Sequence, residues 1–128
     1  MTTTPAVPIH GREHVVGLAE ELPPGHRIIA PIGRHGVGVY NIAGRLHAIA
    51  NYCPHEGGPL CLGRTRGVTQ ARPEAPGGAV EVRDGEFVYC PWHQWGFEIA
   101  TGEPVVEPGV SVPVYAVRID DGKIIVTA

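Results

Sequence analysis

The sequence predicts an all-β protein of short antiparallel strands, and three observations carry that expectation. Eighteen glycines and thirteen prolines among 128 residues suit tight turns far better than helices. Three dipeptides, Ala43-Gly44, Asp84-Gly85 and Asp121-Gly122, stand between strand-like runs with the chemistry of two-residue hairpin turns. Alternation in Val37 and Val39, and again in Leu46 and Ala48, marks one buried and one wetter face. The length fits a single domain with its own core.

Taken in order, residues 1–12 have no periodic pattern and read as a loose leader. A first strand is expected at 14–18, followed by a Leu-Pro-Pro-Gly turn at 22–25. Strands follow at 26–32, 36–42 and 45–50, the last two joined through Ala43-Gly44. The stretch 63–78 is rich in Gly, Pro and Arg, has no apolar period, and is expected to be a loop. Strands resume at 79–83 and 86–90 about Asp84-Gly85, and a further pair is expected at 96–99 and 103–106 across Thr101-Gly102. The chain closes with 112–119 and 123–127, joined through Asp121-Gly122. The economical assembly is a basal antiparallel barrel or sandwich from about 13–51 and 100–128, with a smaller subdomain at about 52–99 inserted into it.

Composition excludes several function classes. The net charge is −3 with neutral histidines, and the basic residues are scattered, so nothing points to nucleic acid. No run approaches the roughly 20 apolar residues that span a bilayer. The opening MTTTPAVPIHGREH lacks a basic region before an apolar core, and a twin arginine, so a soluble cytoplasmic protein is expected. Three cysteines cannot make a disulfide framework, which fits a reducing compartment.

Two boxes carry the chemistry: Cys53-Pro54-His55 and Cys90-Pro91-Trp92-His93. Each pairs one thiolate with one imidazole. Two sulfur and two nitrogen donors suit either zinc or a mixed-ligand [2Fe-2S] centre. Zinc fingers usually place cysteine with cysteine and histidine with histidine, so the C-x-H and C-x2-H spacing favours iron and sulfur, with a zinc-binding structural or interaction module as the other class. Cys61 reads as a small buried hydrophobe, and His10, His14, His26, His35 and His47 as solvated side chains.

The segments NYCPHEGGPL and CPWHQWGFEIATGEP resemble the two ligand loops of the Rieske iron-sulfur family. The likeness adds a Gly-Gly-Pro-Leu run at 57–60, aromatics Trp95 and Phe97, and the Thr101-Gly102 turn, and it spans about Val15 to Val126. It implies the Rieske fold, with the basal part carrying a cluster-binding subdomain. It also implies that Cys53 and Cys90 bind one iron and His55 and His93 the other. Gly57 and Gly58 would turn the first loop sharply enough for its amides to approach the sulfides, and Pro108-Gly109 would belong to a covering proline loop.

By the same resemblance the chain is an electron carrier, not an enzyme. It would pass single electrons from a flavin-containing NAD(P)H reductase to a terminal oxygenase, as a monomer meeting each partner transiently through Pro54, Leu60, Pro91 and Trp92. A fixed small subunit of a complex such as assimilatory nitrite reductase is the alternative. An oxygenase active site needs a further iron held by histidines and a carboxylate, and the 29 residues after Ile99 hold no histidine. The gap of 34 residues between His55 and Cys90 is about twice that of a simple Rieske ferredoxin, and its excess in 63–78 could bring Arg64, Arg66 and Arg72 beside the cluster as a docking surface.

Two departures from the respiratory members count, the first for potential and the second, a missing disulfide, against a quinol-oxidising subunit and for the ferredoxin-like branch. High-potential respiratory members place a serine two residues after the second histidine and a tyrosine two further on; here Trp95 and Phe97 stand there, and neither donates a hydroxyl proton to sulfur. Those members also carry a loop-tying disulfide with one cysteine at the position of Trp92. A redox titration should therefore give a midpoint below about +100 mV, in the lower part of the class window of roughly −150 to +300 mV.

Overall fold

The computed structural model describes residues 11–54, 57–92, 94–106 and 109–128. The strands are β1 (Glu13–Leu18), β2 (Arg27–Ala30), β3 (Val37–Ile42), β4 (Arg45–Ala50), β5 (Arg64–Ala71), β6 (Ala79–Tyr89), β7 (Gly96–Glu98), β8 (Val114–Asp120) and β9 (Lys123–Thr127). Only three short 3-10 turns interrupt them, so the described chain is all-β as expected. None of it forms a helix long and apolar enough to cross a membrane.

Six strands form one antiparallel sheet in the order β1-β9-β8-β4-β3-β2. Two of its hairpins follow from turn chemistry: Ala43 (φ 53°) with Gly44 (φ 93°), and Asp121 (φ 52°) with Gly122 (φ 73°), occupy the paired positive-φ positions of a two-residue turn whose twist matches the flanking strands. Asn41 tightens the first by accepting the Gly44 N–H at 2.8 Å. The sheet curls toward a barrel, so that a Cβ on Gly17 of β1 would lie 3.3 Å from Ile28 of β2, its opposite edge. Leu22, Val37, Val39, Ala48, Ile124 and Val126 fill the interior.

The second sheet, in the order β5-β6-β7, comes from the intervening chain. Its inner face shares a second core with β3 and β4, in which Ile49, Leu60, Cys61, Val88, Phe97 and Ile99 are essentially inaccessible. Burying one such aliphatic or aromatic side chain contributes about 1.5–3 kcal/mol. Three contacts pin the two sheets together. The Cys61 N–H donates to Asn51 Oδ1 at 2.7 Å. Arg27 on β2 donates to the Gly63 carbonyl at 2.7 Å. Cys61 also packs so tightly onto Gly38 of β3 that a Cβ there would overlap its sulfur.

Several expectations need correction. The stretch 63–78 is not a loop: most of it is β5 and the tip of a long β5–β6 hairpin. Periodicity is missing because this ribbon is wet on both faces, whereas Thr65, Val68 and Thr69 supply β-branched side chains suited to a strand. Asp84-Gly85 does not turn a hairpin, because β6 runs on through it; pairing jumps from Arg66–Phe87 to Val68–Val82, leaving residues 83–86 as a wide bulge opposite Gly67. Tyr89 Oη donates to the Gly67 carbonyl and Gly67 N–H donates to Glu81, both at 3.0 Å, which satisfies the groups the bulge leaves unpaired.

Elsewhere the differences are smaller. Residues 103–106 make only a bridge from Pro104 to Phe97, β2 is shorter than expected, and β8 starts at Val114. Residues 1–10 lie outside the described residues; Arg12 exchanges both backbone hydrogen bonds with Ala128, so the leader does not reach that far. His14 and His47 are half-buried rather than solvated, and desolvation pulls the His47 imidazole below its usual value.

Gly38→Ala should cost about 1–3 kcal/mol in chemical denaturation, because the new methyl group overpacks the seam between the sheets. Adding Cys61→Ala should restore part of that loss, as removal of the sulfur makes room. Additive penalties would show that the methyl group strains the structure elsewhere.

Candidate metal centre

Cys53 follows the end of β4 and Cys90 the end of β6, so each box sits where a strand delivers the chain out of the shared core. The two loops that follow are built alike. In the first, Cys53 N–H donates to the Gly58 carbonyl at 2.9 Å and Gly57 N–H donates to the Cys53 carbonyl at 2.7 Å. In the second, Cys90 N–H donates to the Trp95 carbonyl and Gln94 N–H to the Cys90 carbonyl, both at 2.8 Å. Each cysteine is followed by proline, and the residue four beyond it is left-handed: Gly57 at φ 76° and Gln94 at φ 59°. Glycine adopts that conformation readily, whereas glutamine is uncommon there, so the second loop is held by its hydrogen bonds.

The loops also touch. A Cβ on Gly58 would lie 3.0 Å from Cys90 Sγ and 2.9 Å from the Trp92 ring, so only glycine lets the first loop approach the second cysteine this closely. Cys53 and Cys90 are buried, at 0% and 1% exposure, and belong to one apolar cluster. No disulfide links any of the three cysteines. His55 and His93 lie outside the described residues, and among the described residues no three His, Cys, Asp or Glu side chains converge. Two buried thiols on matching, abutting loops fit the sulfur half of a two-iron donor set.

Around the loops, Phe97 is 1% exposed and Trp95 packs against the same core, so neither aromatic brings a hydroxyl to the site. Pro91 and Trp92 are exposed, Trp92 by 56%, and Pro54 is half-exposed. Leu60 is fully buried and leaves the expected contact surface, because its 3-10 turn aims it into the core; Leu62, two residues on, is 60% exposed instead. Pro108 is outside the described residues, whereas Gly109 is exposed.

Cys61 is a different kind of thiol. Its sulfur lies 3.8 Å from the carbonyl oxygens of Ile49 and Ala50, and burial pushes it up to about 11. Burial, and then Cys61 beside it, raise the hydroxyl of its neighbour Tyr40 as well.

Of the three arginines expected beside the cluster, two have acidic partners, whereas Arg64 is exposed and makes no ion pair among the described residues. Arg66 pairs with Glu81 at 2.8 Å and Arg72 approaches Glu74 at 3.8 Å. On the bulge, Arg83 bridges Glu86 and Glu98 and stacks over Phe87 at 4.8 Å. Sequence reasoning missed Glu81 and Glu98 as partners because they become neighbours only through the β5–β6 and β6–β7 pairings.

Comparison with known proteins agrees with this geometry. A human Rieske domain-containing protein is 28% identical over 128 residues, covering 88% of this chain and 72% of its own length. Among solved structures, the Sphingomonas yanoikuyae B1 ferredoxin superposes with a TM-score of 0.67 at 22% identity, over 91% of this chain and 99% of that one. The ferredoxin of carbazole 1,9a-dioxygenase from Nocardioides aromaticivorans IC177 gives 0.67 at 24% identity, over 91% and 98%. A Mycobacterium tuberculosis protein assigned as the small subunit of an NADH-dependent nitrite reductase gives 0.66 at 24%, over 91% and 95%. These structural likenesses establish the fold. Residues 12–116 match the Rieske [2Fe-2S] domain family, so the chain belongs to that family and its cofactor is a [2Fe-2S] cluster.

Proposed function

We propose that this chain is a one-electron carrier in which Cys53 and Cys90 hold one iron and His55 and His93 the other. The observation that carries the reading is the matched pair of cysteine loops, with both thiols buried and Gly58 of one loop against Cys90 of the other. When bound, the cluster supplies reversible one-electron chemistry, at a potential raised by neutral imidazoles relative to an all-thiolate site.

The chain's own residues set the conditions for that chemistry. Burial of Cys53 and Cys90 keeps water from the sulfur side, which favours a site of low net charge. The shared hydrogen-bond frame holds both loops in one geometry, so little reorganisation accompanies a change of charge. Pro91 and Trp92 put apolar surface beside the second loop, suited to a small and short-lived interface. We assign the partners as a flavin NAD(P)H reductase upstream and a terminal oxygenase downstream, in the cytoplasm. The carbazole dioxygenase ferredoxin, seen elsewhere in complex with its oxygenase, supports this circuit. The likeness to the nitrite reductase small subunit supports a second reading, a fixed subunit of a larger enzyme.

The pure protein should be red-brown, and its reduced form should give an EPR signal of lower average g than an all-thiolate cluster. Exchanging His93 or His55 for cysteine should move both optical and magnetic signatures; unchanged spectra would remove the histidines from the site, and a colourless iron-replete protein would indicate zinc. Elution as a monomer separates the shuttle from a fixed subunit, which would co-purify with a large chain. In a second experiment, Gly58→Ala should shorten cluster lifetime by roughly tenfold in air, followed by visible bleaching, because about 1–3 kcal/mol of overpacking falls on the Cys90 loop.

A further inference from the structure

Beside the first cysteine loop, a cleft of about 300 Å³ opens at the end of the barrel where the loop between β2 and β3 faces Tyr52 and Tyr115. Its floor is apolar, from Ile32, Val37 and Ala50. Its rim carries Arg34, His14, His35 and Ala128, and no aspartate or glutamate lines it. Among the described residues Arg34 has neither an ion pair nor a hydrogen bond, unlike Arg66, Arg83 and Arg118, which are all paired with glutamates.

The cleft is built in advance. Asn51 N–H donates to the Gly36 carbonyl at 3.0 Å and Asn51 Nδ2 to the His35 carbonyl at 3.1 Å, which ties the rim loop to the chain entering the first cysteine loop. The rings of His35 and Tyr52 meet with centroids 4.4 Å apart. Gly33 and Gly36, at φ 71° and 90°, turn the loop back over the floor. An unpaired guanidinium at the rim of an apolar floor between aromatic walls recognises a flat apolar body ending in a carboxylate: the ring covers the floor while the charged end stays at the wet rim.

We propose that this cleft is a binding site for a small aromatic carboxylate, separate from the two-iron centre. Tyr52 gives the site a route to that centre, since it immediately precedes Cys53 and a Cβ on Gly57 would meet its ring at 3.4 Å.

The test uses cluster-loaded protein and para-fluorobenzoate, followed by fluorine NMR, with para-fluorobenzamide as the uncharged isostere. The benzoate should bind saturably and one to one, with amide shifts concentrated at Gly33, His35 and Gly36. Arg34→Gln, checked for an unchanged visible spectrum, should weaken it about tenfold, and the benzamide should bind the parent protein about as weakly. Equal binding of acid and amide, or of parent and Arg34→Gln, would leave an apolar cleft without anion recognition and overturn the proposal. Absence of saturation up to about 10 mM, or displacement by equimolar phosphate, would overturn it as well.

Discussion

Close approach of two loops at Gly58 is the constraint on which the rest of this molecule depends. A metal centre shared between loops needs its donors in one place before the metal arrives, and the backbone does this by bringing a glycine against Cys90 and the Trp92 ring. That contact holds only if each loop keeps its shape. The repeated hydrogen-bond pattern around Cys53 and Cys90 keeps both shapes with the same two bonds. The loops in turn need rigid roots, and these are the ends of β4 and β6, which belong to different sheets joined by one core.

The join between the sheets therefore carries functional weight although it is made of ordinary packing. Cys61 is central to it: its amide is fixed by Asn51, its sulfur rests on Gly38, and burial holds its thiol protonated. With the thiol pushed up to about 11 by burial and its sulfur inaccessible, Cys61 acts as a packing residue and stays protonated near neutral pH. Asn51 has a double part, since its side chain also holds the His35 carbonyl. One residue ahead of Tyr52 thus couples the barrel's rim, the seam between the sheets and the start of the first loop.

What the sequence made legible was chemistry that is local. Ala43-Gly44 and Asp121-Gly122 form the hairpins their residue types demand, and the strand pairs they join run in register. The two cysteine boxes were equally plain, as spacing alone singles them out. What failed was non-local. Asp84-Gly85 carries the same turn signal, yet whether such a signal becomes a hairpin or a bulge depends on the strand opposite. Here Gly67 admits the bulge, because any side chain at that position would run into the Val82 carbonyl. β5 was invisible for a related reason, since a ribbon wet on both faces has no apolar period to read.

The insertion illustrates how such an excursion can be stable without being sticky. A two-stranded ribbon is marginal by itself, and a row of unpaired arginines on it would recruit anions indiscriminately. Instead Arg66 and Arg72 have glutamates beside them, and Arg83 ties the bulge to β7 through Glu98. Each exposed pair contributes only about 0–1 kcal/mol, so their main effect is to cancel charge rather than to anchor the ribbon. The anchor is the base, where Phe87 and Val88 are buried and Tyr89 reaches back to Gly67. Charge at Arg66, Arg72 and Arg83 is thus balanced locally, while Pro91 and Trp92 stay exposed beside the second loop.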